Sequence, residues 1–334
     1  MELVYFLIET MVKVVVVFGV LMGTVAYLTL VERKVLGHIQ VRYGPNRVGP
    51  FGLFQPIADG IKAFFKEDVV PAKADKALFV IAPMISIVAA LSLFAVIPFG
   101  GKIDLFGRTI TLAIADIDIG LLYILGIASL GEFGVVLGGW SGYNKYGLIG
   151  ALRAAAQMIS YEVALGLMVI GVLMISGTLN LVQIVQKQAG WHWNVFYQPF
   201  AFIFYMVCAI AEINRSPFDM PEAEAELACG FNIEYSSMKF ALFFMGEYAH
   251  LLAVCAIATT LFLGGWHGPF LPPSLSWIWF VAKTGFLVYF CIWERGTFPR
   301  LRYDQIMKLG WKVLLPLALA NIFFTGLVMI LKGT

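Results

Sequence analysis

The stretch Val14–Val31, VVVVFGVLMGTVAYLTLV, contains no charged residue and is almost entirely apolar. Crossing the hydrocarbon core of a bilayer as a helix takes about 20 such residues. Over the whole chain of 334 residues, 60% are hydrophobic, only 13% are charged, and the mean hydropathy is +0.85. A soluble domain carries about 25% charged residues. The composition therefore predicts an integral membrane protein, and a net charge of +2 leaves no large basic surface for nucleic acid.

Other uncharged runs predict further helices of the same kind. Three of these runs are long enough only if an ionisable residue is accepted inside or at one end, as with Glu132, Glu247 and Lys283. The sequence therefore predicts a single all-α membrane domain over residues 1–334 with about eight transmembrane helices. The predicted spans are approximately 4–31, 77–100, 117–140, 152–176, 197–213, 238–263, 275–294 and 311–331.

Lysine and arginine are distributed unevenly between the predicted loops. Most of them follow the first, third, fifth and seventh helices, and positive charge is enriched on the cytoplasmic side of membrane proteins. With no recognisable signal or transit peptide, we expect a bacterial inner-membrane protein with both termini periplasmic, although an organelle-encoded homologue would have a similar sequence. The predicted cytoplasmic loops are 32–76, 141–151, 214–237 and 295–310.

The first cytoplasmic loop contains an amphipathic segment. Proline and glycine interrupt its first half, and a helical pattern follows in which Asp59, Lys62 and Lys66 share the polar face. Such a helix typically lies flat on the membrane, and by periodicity alone it is a surface anchor. Its apolar face consists of Leu53, Phe54, Ile57, Ile61, Phe64 and Phe65.

Four consecutive predicted helices each carry one carboxylate at or near membrane depth: Glu132, Glu162, Glu212 and Glu247. A charge at the centre of a bilayer costs at least about 3 kcal/mol, so these groups are expected to face the protein interior. A single buried acid is compatible with a structural ion pair. Four in series favour a proton or ion route over separate structural pairs.

The stretch Ala211–Ser237, which contains the end of the fifth predicted helix and the fifth loop, reads AEINRSPFDMPEAEAELACGFNIEYSS and has six carboxylates but only one cation, Arg215. Apolar residues alternate with the acids, so we expect this loop to fold back against the protein, with the basic first loop as its partner. We also expect Arg300 or Arg302, which follow the seventh helix, to pair with acids of this loop.

The histidines and cysteines show no spacing typical of a haem, metal or cluster site. We interpret them as packing or loop residues, with the cysteines reduced. They are His38, His192, His250, His267, Cys208, Cys229, Cys255 and Cys291.

Four long strings of this sequence are distinctive. ERKVLGHIQVRYGPNRVGPFGLFQPIADGIKAFFKED, RAAAQMISYE, NRSPFDMPEAEAELACGFNIEYSSMKFALFFMGEY and PRLRYDQIMKLGWKVLLP together resemble the H-subunit family of the proton-pumping NADH:quinone oxidoreductases, respiratory complex I. The resemblance extends from the first helix to the last. It implies a subunit at the junction of the membrane and peripheral arms, in contact with other subunits of both arms, with lipid and with a quinone such as ubiquinone.

The resemblance also implies a role for individual residues. The first helix and the amphipathic helix would flank the entrance of the quinone chamber, and Glu132, Glu162, Glu212 and Glu247 would begin a proton path into the membrane arm. The chamber residues implied are Arg33, Asp59, Lys62, Arg215, Glu222, Glu224, Glu226 and Arg300. The chain has no nucleotide fingerprint and no cluster-ligand cysteines, so FMN and iron–sulfur clusters are expected in partner subunits.

Two other functions fit part of the pattern. A stand-alone cation/proton antiporter also carries intramembrane acids, but it would show an inverted repeat of broken helices, and the two halves of this sequence share no repeat. The homologous membrane subunit of a hydrogenase complex is a closer alternative. The combination of GPNRVGPFGLFQP with PFDMPEAEAEL favours the quinone oxidoreductase.

Overall fold

The computed structural model describes residues 2–105, 108–222, 224–270, 272 and 275–332. Helices dominate this part of the chain, and the all-α prediction is confirmed. The one exception there is an antiparallel hairpin of two four-residue strands, β1 (Lys102–Leu105) and β2 (Arg108–Thr111). The α-helices are α1 (Glu2–Ile39), α2 (Gln55–Phe65), α3 (Lys76–Ser92), α4 (Gly120–Ser141), α5 (Lys145–Ser176), α6 (Leu181–Lys187), α7 (Asn194–Tyr197), α8 (Pro199–Glu212), α9 (Glu224–Leu227), α10 (Ser237–Phe262), α11 (Trp277–Thr297), α12 (Tyr303–Lys308) and α13 (Leu315–Lys332). Short 3₁₀ turns occur at Pro50–Gly52, Leu93–Ala95 and Gly230–Asn232, and a π-helical segment, Leu309–Leu314, joins α12 to α13.

Six helical segments of the described chain are long and apolar enough to cross a membrane. They correspond to α1, α3, α4, α5, α10 and the continuous helix from α12 to α13. The other two predicted spans coincide with α8, which has only 14 residues, and α11, which carries Lys283 within its length and Glu294 and Arg295 near its end. Helices therefore occupy all eight predicted positions.

Several helix boundaries differ from the predicted span boundaries: α3 ends at Ser92 instead of 100, the last helix begins at Tyr303 instead of 311, and α1 and α5 are longer than predicted. The first span was expected to end at residue 31, but α1 continues to Ile39, and α5 begins at Lys145 instead of 152. The predictions followed the uncharged runs, which mark the hydrocarbon region. A helix ends only where its backbone hydrogen bonding ends, so charged residues extend these two helices beyond the apolar runs.

Close helix packing forms the centre of the bundle. Helix α3 packs against α4 and α10, and α5 packs against α4, α8 and α13. At the α3–α4 contact, a Cβ on Gly134 would lie 2.8 Å from both Ala82 O and Ser86 N, so only glycine permits this approach. Most of α10 is buried, which places its polar residues inside the bundle.

Helix α2 has the amphipathic arrangement expected from its sequence. Its predicted apolar face is exposed from Leu53 to Phe65. On the polar face, Asp59 Oδ2 accepts a hydrogen bond of 2.5 Å from Arg33 Nη1, which ties α2 to α1. The exposed apolar face is of the kind that lies against lipid, while the salt bridge fixes the helix beside α1.

Candidate functional site

The loop between α8 and α10 folds back into the protein, as its alternating apolar residues predicted. Its side chains Phe218, Met220 and Phe231 are buried. Gly230 forms the tight turn that makes this possible: its φ is +51°, and a Cβ there would lie 1.7 Å from Pro221 O. The turn packs against α4 and α5. The acids of this loop are therefore held on a fixed surface.

An amide on α5 anchors the start of the loop. Gln157 Nε2 lies 2.6 Å from Ala211 O, 2.8 Å from Phe218 O and 3.1 Å from Asn214 Oδ1. Asn214 in turn donates its Nδ2–H to Glu132 Oε2 on α4 at 3.0 Å. Buried amide groups need such partners, so this chain of hydrogen bonds fixes the loop relative to the carboxylate on α4.

Arg215, the single cation of the loop, is the centre of a buried ion cluster. Its Nη1 donates to Glu32 Oε2 at 2.8 Å, its Nε donates to Glu247, and its guanidinium lies 4.1 Å from the centre of the Tyr248 ring. Arg295 donates to the other oxygen of Glu32. Two arginines thus balance two carboxylates, and the cluster links α1, the fifth loop, α10 and α11.

Glu32 was absent from the predicted site, although α1 contains a signal for it. Leu21, Val25 and Leu28 are buried on one face of α1, and Glu32 follows at the same helical spacing. The side chain of Glu32 is only 5% exposed. Because the predicted span ended at residue 31, Glu32 was assigned to the loop instead of to the buried face of the helix.

Three of the four predicted buried acids lie close to a histidine or to the ion cluster. Glu132 on α4 and Glu212 on α8 are both buried, and His250 on α10 lies between them. His250 Nδ1 is 4.0 Å from Glu132 Oε1, and His250 Nε2 is 3.7 Å from Glu212 Oε1. Glu247 pairs with Arg215 as described above. A packing role had been predicted for His250, whereas the structure places it between two carboxylates.

The fourth acid, Glu162 on α5, is half-buried and accepts a hydrogen bond from Ser129 on α4. Ser129 precedes Glu132 by three residues, so both residues lie on neighbouring positions of one helical face. The structure therefore places Glu162 beside the helix that carries Glu132.

A cavity of about 40 Å³ connects the buried acids with the fifth loop. One water needs roughly 10–15 Å³ of such space and two to four polar partners, so the cavity has room for about three waters. Its polar lining includes Ser86, Glu132, Asn214, Glu222, Asn232, Glu247 and His250. Glu222 and Glu247 thus face the same small volume as Glu132.

Glu222 is the loop acid that reaches this cavity. Asn232 Nδ2 donates to its Oε1 at 3.0 Å. Burial, together with the nearby charges of Glu247 and Asp219, raises the pKa of Glu222 to about 8. This carboxyl group therefore changes its protonation state near neutral pH, as a group that takes up or releases protons must.

Other acids of the loop pair with arginines on different elements. Asp219 Oδ2 accepts a hydrogen bond of 2.7 Å from Arg300 Nη2, which confirms the predicted pairing of Arg300 with this loop. Glu226 Oε2 accepts one of 2.6 Å from Arg153 Nη1 on α5. Arg302 pairs instead with Asp304, two residues away.

The first loop was predicted to be the partner of these acids, and this was wrong for the described ion pairs. The two loops do meet, but through Ser236 and Ser237, which hydrogen-bond to the backbone of the first loop. Beside this contact, Lys239 on α10 forms a salt bridge with Asp68 of the first loop, so here the first loop supplies the acid. Bases of α5 and of the seventh loop lie closer to the acids. The side chain of Glu224 lies outside the described residues.

Arg33, Asp59 and Lys62 form a separate group on α1 and α2. Arg33 and Asp59 pair with each other, and Lys62 is exposed. Arg33 also lines an open groove of about 790 Å³ together with Arg42 and Arg47. The structure therefore shows two regions: a buried acid cavity, and an exposed basic groove beside the amphipathic helix.

Within the described part of the chain, no three His, Cys, Asp or Glu side chains are arranged to hold a metal ion. Cys208, Cys255 and Cys291 are buried free thiols, with Cys255 Sγ and Cys291 Sγ 4.0 Å apart between α10 and α11.

Comparison with known proteins agrees with this architecture over almost the whole chain. The profile of the family described as NADH dehydrogenase matches residues 12–326. The NADH-quinone oxidoreductase H subunit 2 of Geobacter metallireducens is 56% identical over 333 residues, covering 96% of this chain and 95% of that protein. The H subunit 1 of Geobacter sulfurreducens is also 56% identical, covering 98% of this chain and 96% of that protein. The H subunit of Protochlamydia amoebophila is 52% identical, covering 90% and 91%.

These matches include every helix that lines the acid cavity and both loops that meet beside it. The relatives are of nearly the same length as this chain, so the similarity is not confined to one segment. With its predominantly helical membrane architecture, the chain belongs to the NADH dehydrogenase family, among the H subunits of NADH-quinone oxidoreductases.

Proposed function

We propose that this chain is the membrane subunit of a proton-pumping NADH:quinone oxidoreductase that forms the membrane-side wall and entrance of the quinone chamber. Its buried carboxylates couple quinone reduction to proton translocation. The observation that carries this proposal is the cavity in which Glu222 of the fifth loop faces Glu132 and Glu247 of the helices. A cytoplasmic loop and the membrane interior thereby share one set of titratable groups.

The coupling follows from electrostatics. Reducing a quinone consumes two electrons and two protons, and the negative charge that develops during reduction raises the proton affinity of nearby carboxylates. Glu222, with a pKa of about 8, responds to such a charge near neutral pH. Arg215 holds Glu247 and Glu32 together, so a change at the loop reaches α1 and α10 through direct contacts.

The entrance is assigned to the first helix and α2. The exposed apolar face of α2 and the polar contact of Asp59 with Arg33 give this region a lipid-facing side and a charged side. An apolar quinone that reaches the protein from the bilayer would contact the lipid-facing side before the charged side. The residues assigned to the chamber are Arg33, Asp59, Lys62, Arg215, Glu222, Glu224, Glu226 and Arg300, and those assigned to the proton path are Glu132, Glu162, Glu212 and Glu247.

The other parts of the reaction belong to partner subunits. FMN and the iron–sulfur clusters are assigned to the peripheral arm, while this chain contacts subunits of both arms, lipid and quinone. The complex is assigned to the bacterial inner membrane, with both termini of this chain periplasmic. The names of the relatives favour this function over a hydrogenase subunit or an antiporter.

The proton path is tested with Glu212→Gln, which keeps the side-chain volume and removes a buried ionisable group. We expect NADH:quinone turnover and proton pumping by the assembled complex to fall together. The control is Glu9→Gln, because Glu9 pairs with Lys13 near the end of α1 and is half-exposed. Full turnover and pumping in Glu212→Gln would contradict the proton path, and normal turnover without pumping would contradict obligatory coupling.

A further inference from the structure

His250 occupies a position between two acids that belong to different helices. Its side chain is 9% exposed, and those of Glu132 and Glu212 are 7% and 8% exposed. The two ring nitrogens face opposite partners, with Nδ1 toward Glu132 and Nε2 toward Glu212. Both separations exceed a hydrogen bond by about 1 Å, so a small side-chain rotation closes either gap.

The surroundings fix which carboxylate oxygen faces the ring. Glu132 Oε2 is held by Asn214 at 3.0 Å, which leaves Oε1 directed toward His250. His250 Nε2 is buried and has no hydrogen-bond partner within the described residues. Leaving a buried polar group unpaired costs free energy, so the absence of a hydrogen bond at Nε2 needs an explanation. The geometry supplies one, because Nε2 is still available for Glu212.

His250 also separates two cavities. On one side lies the cavity of about 40 Å³ that Glu132, Glu222 and Glu247 line. On the other lies a largely apolar cavity of about 20 Å³, and among the described residues that line it Glu212 is the one carboxylate. His250 lines both. A proton that passes from the cavity beside the loop to Glu212 therefore meets the imidazole between them.

We propose that His250 relays a proton between Glu132 and Glu212. This inference rests on the proposed proton path and adds His250 to the four carboxylates of that path. The Glu132 carboxyl O–H bond breaks as a new N–H bond forms at Nδ1 of the neutral imidazole. The Nε2–H bond breaks as an O–H bond forms on the Glu212 carboxylate, so one proton moves and no net charge remains on the ring.

Imidazole suits this task because it donates from one nitrogen while it accepts at the other. A ring rotation or tautomer exchange returns the original state. Other titratable groups around this region have polar partners of their own, whereas Nε2 of His250 does not. They include Glu162 on α5, held by Ser129, Glu247 on α10, held by Arg215, Glu222 of the fifth loop, held by Asn232, and Tyr205 on α8, whose hydroxyl donates to Val254 O.

A purely packing role predicts a different result from substitution. If His250 only fills space, His250→Leu removes an unpaired buried nitrogen and leaves turnover unchanged. If His250 relays protons, neither leucine nor the polar amide in His250→Gln replaces it, because an amide does not exchange protons readily at neutral pH. General acid–base groups contribute about 10²–10⁴-fold to rate, so we expect turnover to fall at least about tenfold in both variants.

The decisive experiment is chemical rescue of His250→Ala in the assembled complex. NADH:quinone turnover is measured with added imidazole and with pyrazole, a ring of the same size that is not protonated at neutral pH. We expect imidazole to restore turnover severalfold and pyrazole to leave it low. Equal restoration by both rings would show that only volume matters and would overturn the relay. Cys255→Ala, a buried substitution on the same helix, serves as the control and should retain turnover.

Glu212→Gln, measured in parallel, separates this inference from the proposed function. Low turnover in Glu212→Gln with wild-type turnover in His250→Ala, His250→Gln and His250→Leu would refute the relay and keep the proton path. Full turnover in Glu212→Gln would refute the path itself, and the relay with it. NADH oxidation by an artificial acceptor at the flavin reports that each variant complex is assembled.

Discussion

Replacing Arg215 by methionine should destabilise the protein more than any substitution of a surface charge. Arg215 is 6% exposed and bridges Glu32 and Glu247, which lie on α1 and α10. Methionine fills part of the space but leaves two carboxylates in a buried site with one cation fewer. Arg295 still neutralises Glu32, so most of the penalty falls on Glu247.

The magnitude follows from these partners. Removing one partner of a buried ion pair costs about 3–5 kcal/mol. The side chain of Glu247 is 22% exposed and regains some water, so we expect the lower end, about 3 kcal/mol. Arg215→Lys keeps the charge but reaches only one carboxylate, and losing one charge-assisted hydrogen bond costs about 1.5–3 kcal/mol. Combining Arg215→Met with Glu247→Gln removes the unpaired charge and should recover much of the loss.

The assay is the thermal midpoint and membrane abundance of the assembled complex for each variant. We expect the midpoint to be lowest for Arg215→Met and higher for both Arg215→Lys and the double variant. A wild-type midpoint and abundance in Arg215→Met would show that the cluster contributes nothing to stability. A double variant no more stable than Arg215→Met would show that the unpaired Glu247 carboxylate is not the cause.

Three further results are expected. Arg300 Nη2 donates to both the backbone oxygen and the carboxylate of Asp219. Arg300→Lys keeps the charge but loses the planar guanidinium that places this nitrogen, so quinone reductase activity should fall severalfold while Arg302→Lys stays active. Unchanged activity in Arg300→Lys would contradict this role. Ile61→Asp should weaken the binding of α2 to lipid by about 2 kcal/mol, because apolar burial is lost and a charge is desolvated. Quinone reduction should fall while NADH oxidation by an artificial acceptor at the flavin stays normal. Equal loss of both activities would indicate a role in assembly instead. The pKa of Glu222 is raised to about 8 in the folded protein, so its ionisation opposes folding as pH rises. The stability of Glu222→Gln relative to wild type should therefore grow from pH 4.5 to 8 and level off above. A difference in thermal midpoint that is constant from pH 6 to 8.5 would contradict the shift.

Local patterns accounted for the parts of the fold that depend on neighbouring residues. Uncharged runs located helices at all eight predicted positions, and the period of Leu53 to Phe65 gave both the presence and the exposed face of α2. The alternation of acids with apolar residues predicted that the fifth loop folds inward. Helices α1 and α5 are longer than the spans predicted there, because hydropathy reports the membrane boundary and not the end of backbone hydrogen bonding.

The partners of the buried charges lay beyond such patterns. Glu32 binds Arg215 across 183 positions of sequence and Arg295 across 263, and no spacing rule relates residues so far apart. The acids of the fifth loop were assigned to the first loop by opposite charge, yet the structure pairs Asp219 with Arg300 and Glu226 with Arg153. A buried charge in the sequence indicates that an oppositely charged partner is needed. Helix packing decides which residue lies close enough to be that partner.

The sequence by itself determined that this chain is a helical membrane protein with acids at membrane depth, because apolar length and the cost of burying charge are properties of each segment alone. Only the tertiary structure decided that Glu132 and Glu212 approach the two nitrogens of His250, and that Glu222 shares a cavity with Glu132 and Glu247. These side chains lie on α4, α8, α10 and the fifth loop. Their distances are set by how closely the helices pack, and that depends on contacts such as Gly134 with α3 which no single segment contains.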